Sequence, residues 1–431
     1  MLFVWLRVPS GTCQVLGRTA GMTQSLPRTR LLRWALLCVA LSTTGCMAWP
    51  GSKVEAPHQT GSRAVGVTTI ETYDATRDRT LEIEVWYPSA ATETGPAEVY
   101  RVKGMGGHTF ARLRSYVGAH RNSRVDTTLG PRPVVLLSHG ATSSRLAHIG
   151  LCELLASHGY IVAAPDHRGH TMADKLGGVS WNERAQAAMN RPLDLSRTLD
   201  ELLARNVDGR SIFEGTIDPD RVAVAGHSFG GRTAMGLVGA RFNAPRQAQE
   251  CNDNADDRRC AALPVFGQEP YRYRDTRIKA ALLITPSGYR FYRGDGVSEV
   301  DVPTLIVGAR NDHTTPYDVH HGPIYESLKG PRYLLSLDRA GHLTATDVCS
   351  IIDSVGVLAK AFGGEEAKDG CGQAYMKPVE ALGLVADVAL PFLDLHLIGD
   401  AGAEDRLQAA LNRGNRAGDR IASTESSPGR L

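Results

Sequence analysis

The stretch Val222-Ala223-Val224-Ala225-Gly226-His227-Ser228-Phe229-Gly230-Gly231 decides how the rest of this chain is read. Its first four residues are apolar and read as a buried strand, while Met235, Leu237 and Val238 after the glycines read as a helix. A Gly-x-Ser-x-Gly motif alone is weak evidence in a chain with 45 glycines. Between a strand and a helix it has the context of a nucleophile elbow, a turn so sharp that its serine is strained and exposed. Glycines two residues to either side remove Cβ atoms that would clash. The helix N-terminus beneath the serine favours developing negative charge. The competing reading is a glycine-rich turn without chemistry, and it stands or falls on whether Ser228 has partners.

A serine hydroxyl is a poor nucleophile at neutral pH. A histidine must take its proton, and an acid must orient that histidine. Asp312 fits the acid, because it follows the run Leu305-Ile306-Val307-Gly308-Ala309 and would stand on a loop beyond a core strand. His342 fits the base. It lies in Asp338-Arg339-Ala340-Gly341-His342, again beyond a strand, Tyr333 to Leu337. His313, His320 and His321 compete for the base, and Asp301 and Asp338 for the acid. The three histidines follow Asp312 with no strand between, Asp301 precedes its strand, and Asp338 is four residues from His342. Two backbone amides are candidates for the oxyanion hole: Phe229 N–H, directly after the nucleophile, and Ala141 N–H, after Ser138-His139-Gly140.

Outward from this centre, short apolar runs alternate with helical segments. That is the pattern of a mainly parallel central sheet with helices on both faces, an α/β architecture. Strands are expected at Val67 to Thr72, Thr80 to Tyr87, Val134 to Leu137, Tyr160 to Ala164, Arg221 to Ala225, Ala280 to Ile284, Thr304 to Val307 and Tyr333 to Leu337. Leu146 to Ser157 reads as a helix closed by Gly159. Pro192 reads as the first residue of another, with Leu195, Leu199, Leu202 and Leu203 on one face. Residues 88–132 show no clear period, and 241–277 reads as a polar insertion after the nucleophile helix. The hydrolase domain is expected to span 66–400 and a polar tail 401–431.

The N-terminal residues read as an upstream extension followed, from Met22, by an export signal. Arg28, Arg30 and Arg33 precede an apolar run, Trp34 to Leu41, which is too short to span a bilayer. The segment 1–48 ends either in cleavage after Ala48 or at Gly45-Cys46, which resembles a lipoprotein site where Cys46 becomes lipidated and anchors the protein to a membrane. Residues 49–65 read as a tether. The spacings suggest disulfides Cys251–Cys260 and Cys349–Cys371, as an oxidising, exported location permits. The alternative for 251–260 is a metal loop using Asp253, Asp256 and Asp257, but no calcium-loop spacing is met. Cys152 lies in an apolar helix and reads as a buried thiol. Charge is nearly balanced, with 48 Lys+Arg against 46 Asp+Glu, which gives no electrostatic footprint for nucleic acid.

From about Pro131 to His342 the chain resembles the platelet-activating-factor acetylhydrolase and predicted dienelactone-hydrolase group of the α/β-hydrolases. The resemblance rests on Leu137-Ser138-His139-Gly140, on Ala156-Ser157-His158-Gly159-Tyr160 leading to Ala164-Pro165-Asp166-His167, on Arg191-Pro192-Leu193-Asp194, and on the Ser228 motif. It implies an α/β-hydrolase fold, a triad of Ser228, Asp312 and His342, oxyanion amides at Phe229 and Ala141, and ester hydrolysis without cofactor or metal. True dienelactone hydrolases use cysteine, so Ser228 argues against taking that label as a substrate. The expected function is a serine carboxylic ester hydrolase acting on short-acyl or lipid esters. An acyltransferase using the same triad and a non-catalytic envelope lipoprotein are the alternatives.

Overall fold

The structure, a computed structural model, describes residues 60–90, 95–253, 273–355 and 368–414. The expectations for the export signal, Cys46 and most of the tether lie outside these residues, as does Cys260.

Among the described residues there are eleven strands: β1 (Val65–Asp74), β2 (Arg79–Pro88), β3 (Val99–Lys103), β4 (Thr109–Arg114), β5 (His120–Arg121), β6 (Arg132–Ser138), β7 (Ile161–Pro165), β8 (Ile217–His227), β9 (Ile278–Ile284), β10 (Thr304–Ala309) and β11 (Arg332–Leu337). Nine of them form one sheet, ordered β11-β10-β9-β8-β6-β7-β2-β1-β5. Strands β6 to β11 run parallel, and β2 enters antiparallel to both β7 and β1. The helices are α1 (Ile149–Ser157), α2 (Met172–Leu176), α3 (Trp181–Asn206), α4 (Phe229–Leu237), α5 (Ala244–Asp253), α6 (Tyr289–Val297), α7 (His321–Ser327), α8 (Val348–Val355), α9 (Pro378–Leu393) and α10 (Ala403–Gly414).

The parallel strands are apolar throughout because both faces are covered. Along β6, Val135 and Leu137 join a cluster with α1, α9 and α10, while Val134 and Leu136 join a cluster with α3, α4 and α7. β8 divides the same way, with Ala223 and Ala225 on one side and Val222 and Val224 on the other. Pairing of Leu137 with Ala225 and of Ser138 with Gly226 brings the carboxyl ends of β6 and β8 side by side. The loops that follow them therefore meet, at the end of a parallel sheet where sites are built.

Two expectations need correction, and one unassigned stretch gains a structure. Pro192 does not open a helix but lies inside α3, whose start is fixed by a capping box of Ser180 and Glu183. A proline there removes a backbone hydrogen bond and costs about 3 kcal/mol. Burial of Leu195, Leu199 and Leu202 along the same helix offsets it. Within 88–132, which shows no clear period in the sequence, Tyr100 and Val102 of β3 face Ala111 and Leu113 of β4 inside the core. The expected polar tail is helical as far as Gly414, and α10 buries Leu407 and Leu411 against the domain. Residues Pro378–Ile398 are long and apolar enough to cross a membrane, yet 67% of that window is buried within the domain.

Candidate active site

Strand β8 and helix α4 meet at Ser228, whose backbone has φ 55° and ψ −118°. An L-residue pays for that conformation, and the surroundings must hold it there. Two glycines make it possible. A Cβ on Gly226 would lie 2.2 Å from the Gly230 carbonyl oxygen, and one on Gly230 would lie 1.9 Å from the Ser138 carbonyl oxygen. The Ser228 amide donates to the Ile284 carbonyl at 2.9 Å, tying the turn to β9.

His342, on the loop after β11, and Asp312, on the loop after β10, converge on this serine. His342 Nε2 lies 2.8 Å from Ser228 Oγ, and His342 Nδ1 lies 2.8 Å from Asp312 Oδ2. Burial alone would push the Asp312 carboxyl up. The hydrogen bond and charge of His342 and the amide of Thr315 outweigh it, holding Asp312 below its ordinary value and ionised. Thr315, not anticipated from sequence, donates its hydroxyl to Asp312 Oδ2 at 2.8 Å and stands 3.1 Å from His342 Nδ1. The His342 backbone is fixed separately. Its amide donates to Asp369 Oδ1 at 3.2 Å, and its carbonyl accepts from His227 Nε2 at 2.9 Å. The Cys349–Cys371 disulfide closes the segment containing Asp369.

The competing residues are placed elsewhere. Asp301 pairs with Arg274 at 2.8 Å on the surface. His321 is buried with Nε2 3.7 Å from Asp312 Oδ2, on the side of Thr315 rather than of Ser228. His313 is exposed, and its amide donates to Asp369.

Ser228 is 8% exposed, and the next residue, Phe229, lines a cavity of about 450 Å³ together with Ala141, the two being the candidate oxyanion donors. Trp181, Phe229 and Phe291 supply aromatic surface, and Gln247 brings α5 of the polar insertion to the wall. The wall also carries Lys175, Arg184, Arg232 and Arg290. Arg232 lies between two rings, its Cζ 4.6 Å from the centre of Phe229 and 3.3 Å from that of Phe291. Burial lowers its guanidinium to about 10, so it stays charged near neutrality. His170 and His320, also in the wall, are neutral there: burial and neighbouring arginines bring them to about 3 and about 4.

Behind the β6 loop lies a second Ser–His–Asp array. Ser138 Oγ is 2.9 Å from His167 Nε2, and His167 Nδ1 is 3.0 Å from Asp194 Oδ2. All three residues are fully buried. Arg191 donates to Ser138 Oγ at 3.1 Å and to the His139 carbonyl, while Arg77 and Arg79 pair with Asp194 at 2.7 and 3.1 Å. His139 Nδ1 donates to the Gly140 carbonyl at 2.7 Å, and its Nε2 accepts the His167 amide at 3.1 Å. The array thus braces the segment that leads into Ala141. The motifs containing Asp166-His167 and Arg191-Pro192-Leu193-Asp194 were the sequence signal for it, without indicating a role.

Of the two expected disulfides, Cys349–Cys371 is present. Cys152 is a buried free thiol, as its apolar helix suggested.

Comparison with known proteins places these features in context. Residues 51–176 match the family of platelet-activating factor acetylhydrolase, isoform II, and residues 125–244 match the chlorophyllase family. A cutinase of Thermobifida alba is 25% identical over 257 residues, covering 59% of this chain and 66% of the cutinase. The platelet-activating factor acetylhydrolase of Cavia porcellus is 25% identical over 196 residues, covering 38% of this chain and 45% of that protein. The chain thus aligns with roughly half to two thirds of the length of these relatives. Among solved structures, a ferulic acid esterase from Streptomyces cinnamoneus superposes with a TM-score of 0.59 at 26% identity, covering 81% of this chain and 94% of that one.

Proposed function

The chain is a member of the α/β-hydrolase superfamily, and from that premise we propose that it is a serine-dependent carboxylic ester hydrolase working through an acyl-enzyme on Ser228. The observation that carries this reading is the unbroken chain of 2.8 Å contacts from Ser228 Oγ through His342 to Asp312 at the edge of a cavity.

In this mechanism Ser228 Oγ attacks the ester carbonyl carbon while its proton passes to His342 Nε2. Asp312, ionised and bonded to Nδ1, stabilises the imidazolium that forms. The Phe229 and Ala141 amides hold the oxyanion of the tetrahedral intermediate, each worth about 2.7–4 kcal/mol of barrier. Collapse breaks the bond to the alcohol oxygen, which leaves with the proton from His342. A water then gives its proton to His342 and attacks the acyl carbon. Collapse of the second intermediate releases the acid and returns the proton to Ser228.

Short-acyl and lipid esters remain the substrates this reading favours, on the strength of the acetylhydrolase resemblance and the apolar cavity wall. Export is part of the proposal too, supported by the Cys349–Cys371 bond, since disulfides persist in oxidising compartments. A fluorophosphonate probe is expected to label Ser228 stoichiometrically, and Ser228→Ala to abolish both labelling and hydrolysis of p-nitrophenyl acetate. Full hydrolysis by Ser228→Ala would defeat the proposal. Adding an alcohol acceptor and finding ester rather than acid as the main product would convert it to an acyltransferase.

A further inference from the structure

The cavity beside Ser228 has a charge that ester hydrolysis does not require. Lys175 of α2, Arg184 of α3, Arg232 of α4 and Arg290 of α6 all line it, and among the described residues no Asp or Glu does. Nor, among those residues, does any of the four enter an ion pair, whereas Arg77, Arg79, Arg145 and Arg277 elsewhere in the domain are each matched to carboxylates. Arg232 is the most telling of them. Its side chain leaves the nucleophile helix one turn after Ser228, its amide donating to the Ser228 carbonyl at 3.2 Å. Its neighbours are two aromatic rings and the hydroxyl-bearing Tyr292 rather than an anion. The space it occupies is kept clear by Gly288, where a Cβ would sit 3.0 Å from Arg232 Cβ and where φ is 114°. Placing a guanidinium in such a wall without a counter-charge costs free energy that a bound anion would restore. The histidines of the wall add no positive charge near neutrality, so among the described residues the four long cationic side chains set its sign.

We infer that the cavity selects esters that carry a fixed negative group, a carboxylate or a phosphate, seated against Arg232 and drawn in by Arg184, Arg290 and Lys175. The body joining that group to the scissile ester is flat and apolar, lying along Trp181. Trp181 is 58% exposed at the first residue of α3, available to stack on a planar ligand. This inference rests on Ser228 being the nucleophile of an ester hydrolase, but the anion site can be read without turnover.

Calorimetry on the full chain carrying Ser228→Ala does so, because that change removes only a hydroxyl from the edge of the cavity. Benzoate and phenyl phosphate are expected to bind about tenfold or more tightly than benzamide. Their preference is expected to shrink when salt is raised from about 50 to about 500 mM. Equal binding of benzoate, phenyl phosphate and benzamide overturns the inference. Arg232→Met is expected to reduce the preference about tenfold or more. Since that change also removes a cation from beside Phe229, the double substitution Arg184→Gln, Arg290→Gln tests the cavity apart from α4, with an expected loss of about three- to tenfold. A preference unmoved in both variants overturns the inference as well.

In the active protein, 4-acetoxybenzoate and 4-acetoxyphenyl phosphate, compared with methyl 4-acetoxybenzoate, distinguish a carboxylate from a phosphate as the favoured group. Ser228-dependent turnover that favours the neutral methyl ester removes the anion inference and leaves the esterase reading intact. Tight benzoate binding without turnover of any ester, and without fluorophosphonate labelling, keeps the anion site and removes the esterase reading.

Discussion

Ser228–His342–Asp312 and Ser138–His167–Asp194 share one bonding pattern, serine to Nε2 and Nδ1 to aspartate, and differ in nearly everything that makes a serine reactive. Ser228 stands in a turn at φ 55° beside a cavity. Ser138 is an ordinary strand residue paired with Gly226, and it is fully buried. Asp312 is held below its ordinary pKa through His342 and Thr315, while burial pushes Asp194 up against the pull of Arg79 and Arg77. Ser138 Oγ already accepts from Arg191, and His167 is kept neutral by burial and by that same arginine. A Ser–His–Asp contact list is therefore not sufficient by itself to mark a nucleophile; access, backbone strain and the charge around the acid complete the case. In the buried array the same bonds act as a brace, and the brace holds the segment leading to Ala141.

Substituting the two serines separates the arrays most sharply. Ser228→Ala is expected to lower kcat by about 10⁵-fold or more. Ser138→Ala should keep fluorophosphonate labelling at Ser228 while losing about 1–3 kcal/mol of stability, because Arg191 and His167 lose a buried partner. Probe labelling at Ser138 in the Ser228→Ala protein would erase the distinction. The two acids should divide the same way. Asp312→Asn is expected to cost about 10⁴-fold in kcat, since the histidine loses its orienting charge, with a smaller fall in urea midpoint than Asp194→Asn. Asp194→Asn leaves Arg79 without its carboxylate and Arg77 with Asp74 alone, and is expected to cost about 3–5 kcal/mol of stability, read by urea unfolding. A stable Asp194→Asn protein with kcat lowered as far as in Asp312→Asn would give the second array a direct part in catalysis.

A carboxylate outside both arrays sharpens the point about burial. Glu153 accepts from Tyr100 at 2.6 Å and from the Tyr116 amide at 2.7 Å, yet burial raises it to about 7 from an ordinary 4.5. A folded-state pKa above the unfolded one means that the native state holds its proton longer. The stability this contributes is complete below about pH 4.5 and is lost as pH rises through 7, roughly 3 kcal/mol in all. Glu153→Gln should flatten the melting temperature between pH 4.5 and 7.5, and a slope unchanged from the parent would refute the assignment. Asp312 contributes with the opposite sign. Its share is present above its unfolded value near 3.8 and fades as pH falls through the lower folded one. The smallest effect is expected at Thr315, where Thr315→Val removes the hydroxyl shared by Asp312 and His342. A fall in kcat of about five- to tenfold with unchanged KM would mark it as a positioning residue, and no change in kcat would show that Asp312 alone orients the imidazole.

The parallel core was legible because strands covered on both faces are apolar without interruption, and because the chain returns to the same end of the sheet after each helix. That alone placed Ser228, Asp312 and His342 on neighbouring loops. The hairpin of β3 and β4 was hidden by arginines: Arg101, Arg112 and Arg114 occupy the outward positions of a period-two pattern whose inward residues are Tyr100, Val102, Ala111 and Leu113. Pro192 misled because proline favours the first helical turn, and the capping box that begins at Ser180, twelve residues earlier, carried the correct signal. Thr315, Asp369 and Arg232 were not legible at all. Each acts through contacts with residues distant in the chain or on another turn of helix, and no local spacing marks such contacts.

None of the four cations in the cavity wall is on a strand. The proposed triad and oxyanion loops hang from the ends of β6, β8, β10 and β11, whereas Lys175, Arg184 and Arg290 belong to helices laid over them and Arg232 to the helix that follows Ser228. On the proposed reading, chemistry and selectivity are carried by different parts of the chain. Rewriting α2, the first turns of α3 and the start of α6 would redirect the enzyme to uncharged or cationic esters without disturbing the sheet, making those segments the place to graft or diversify a new preference.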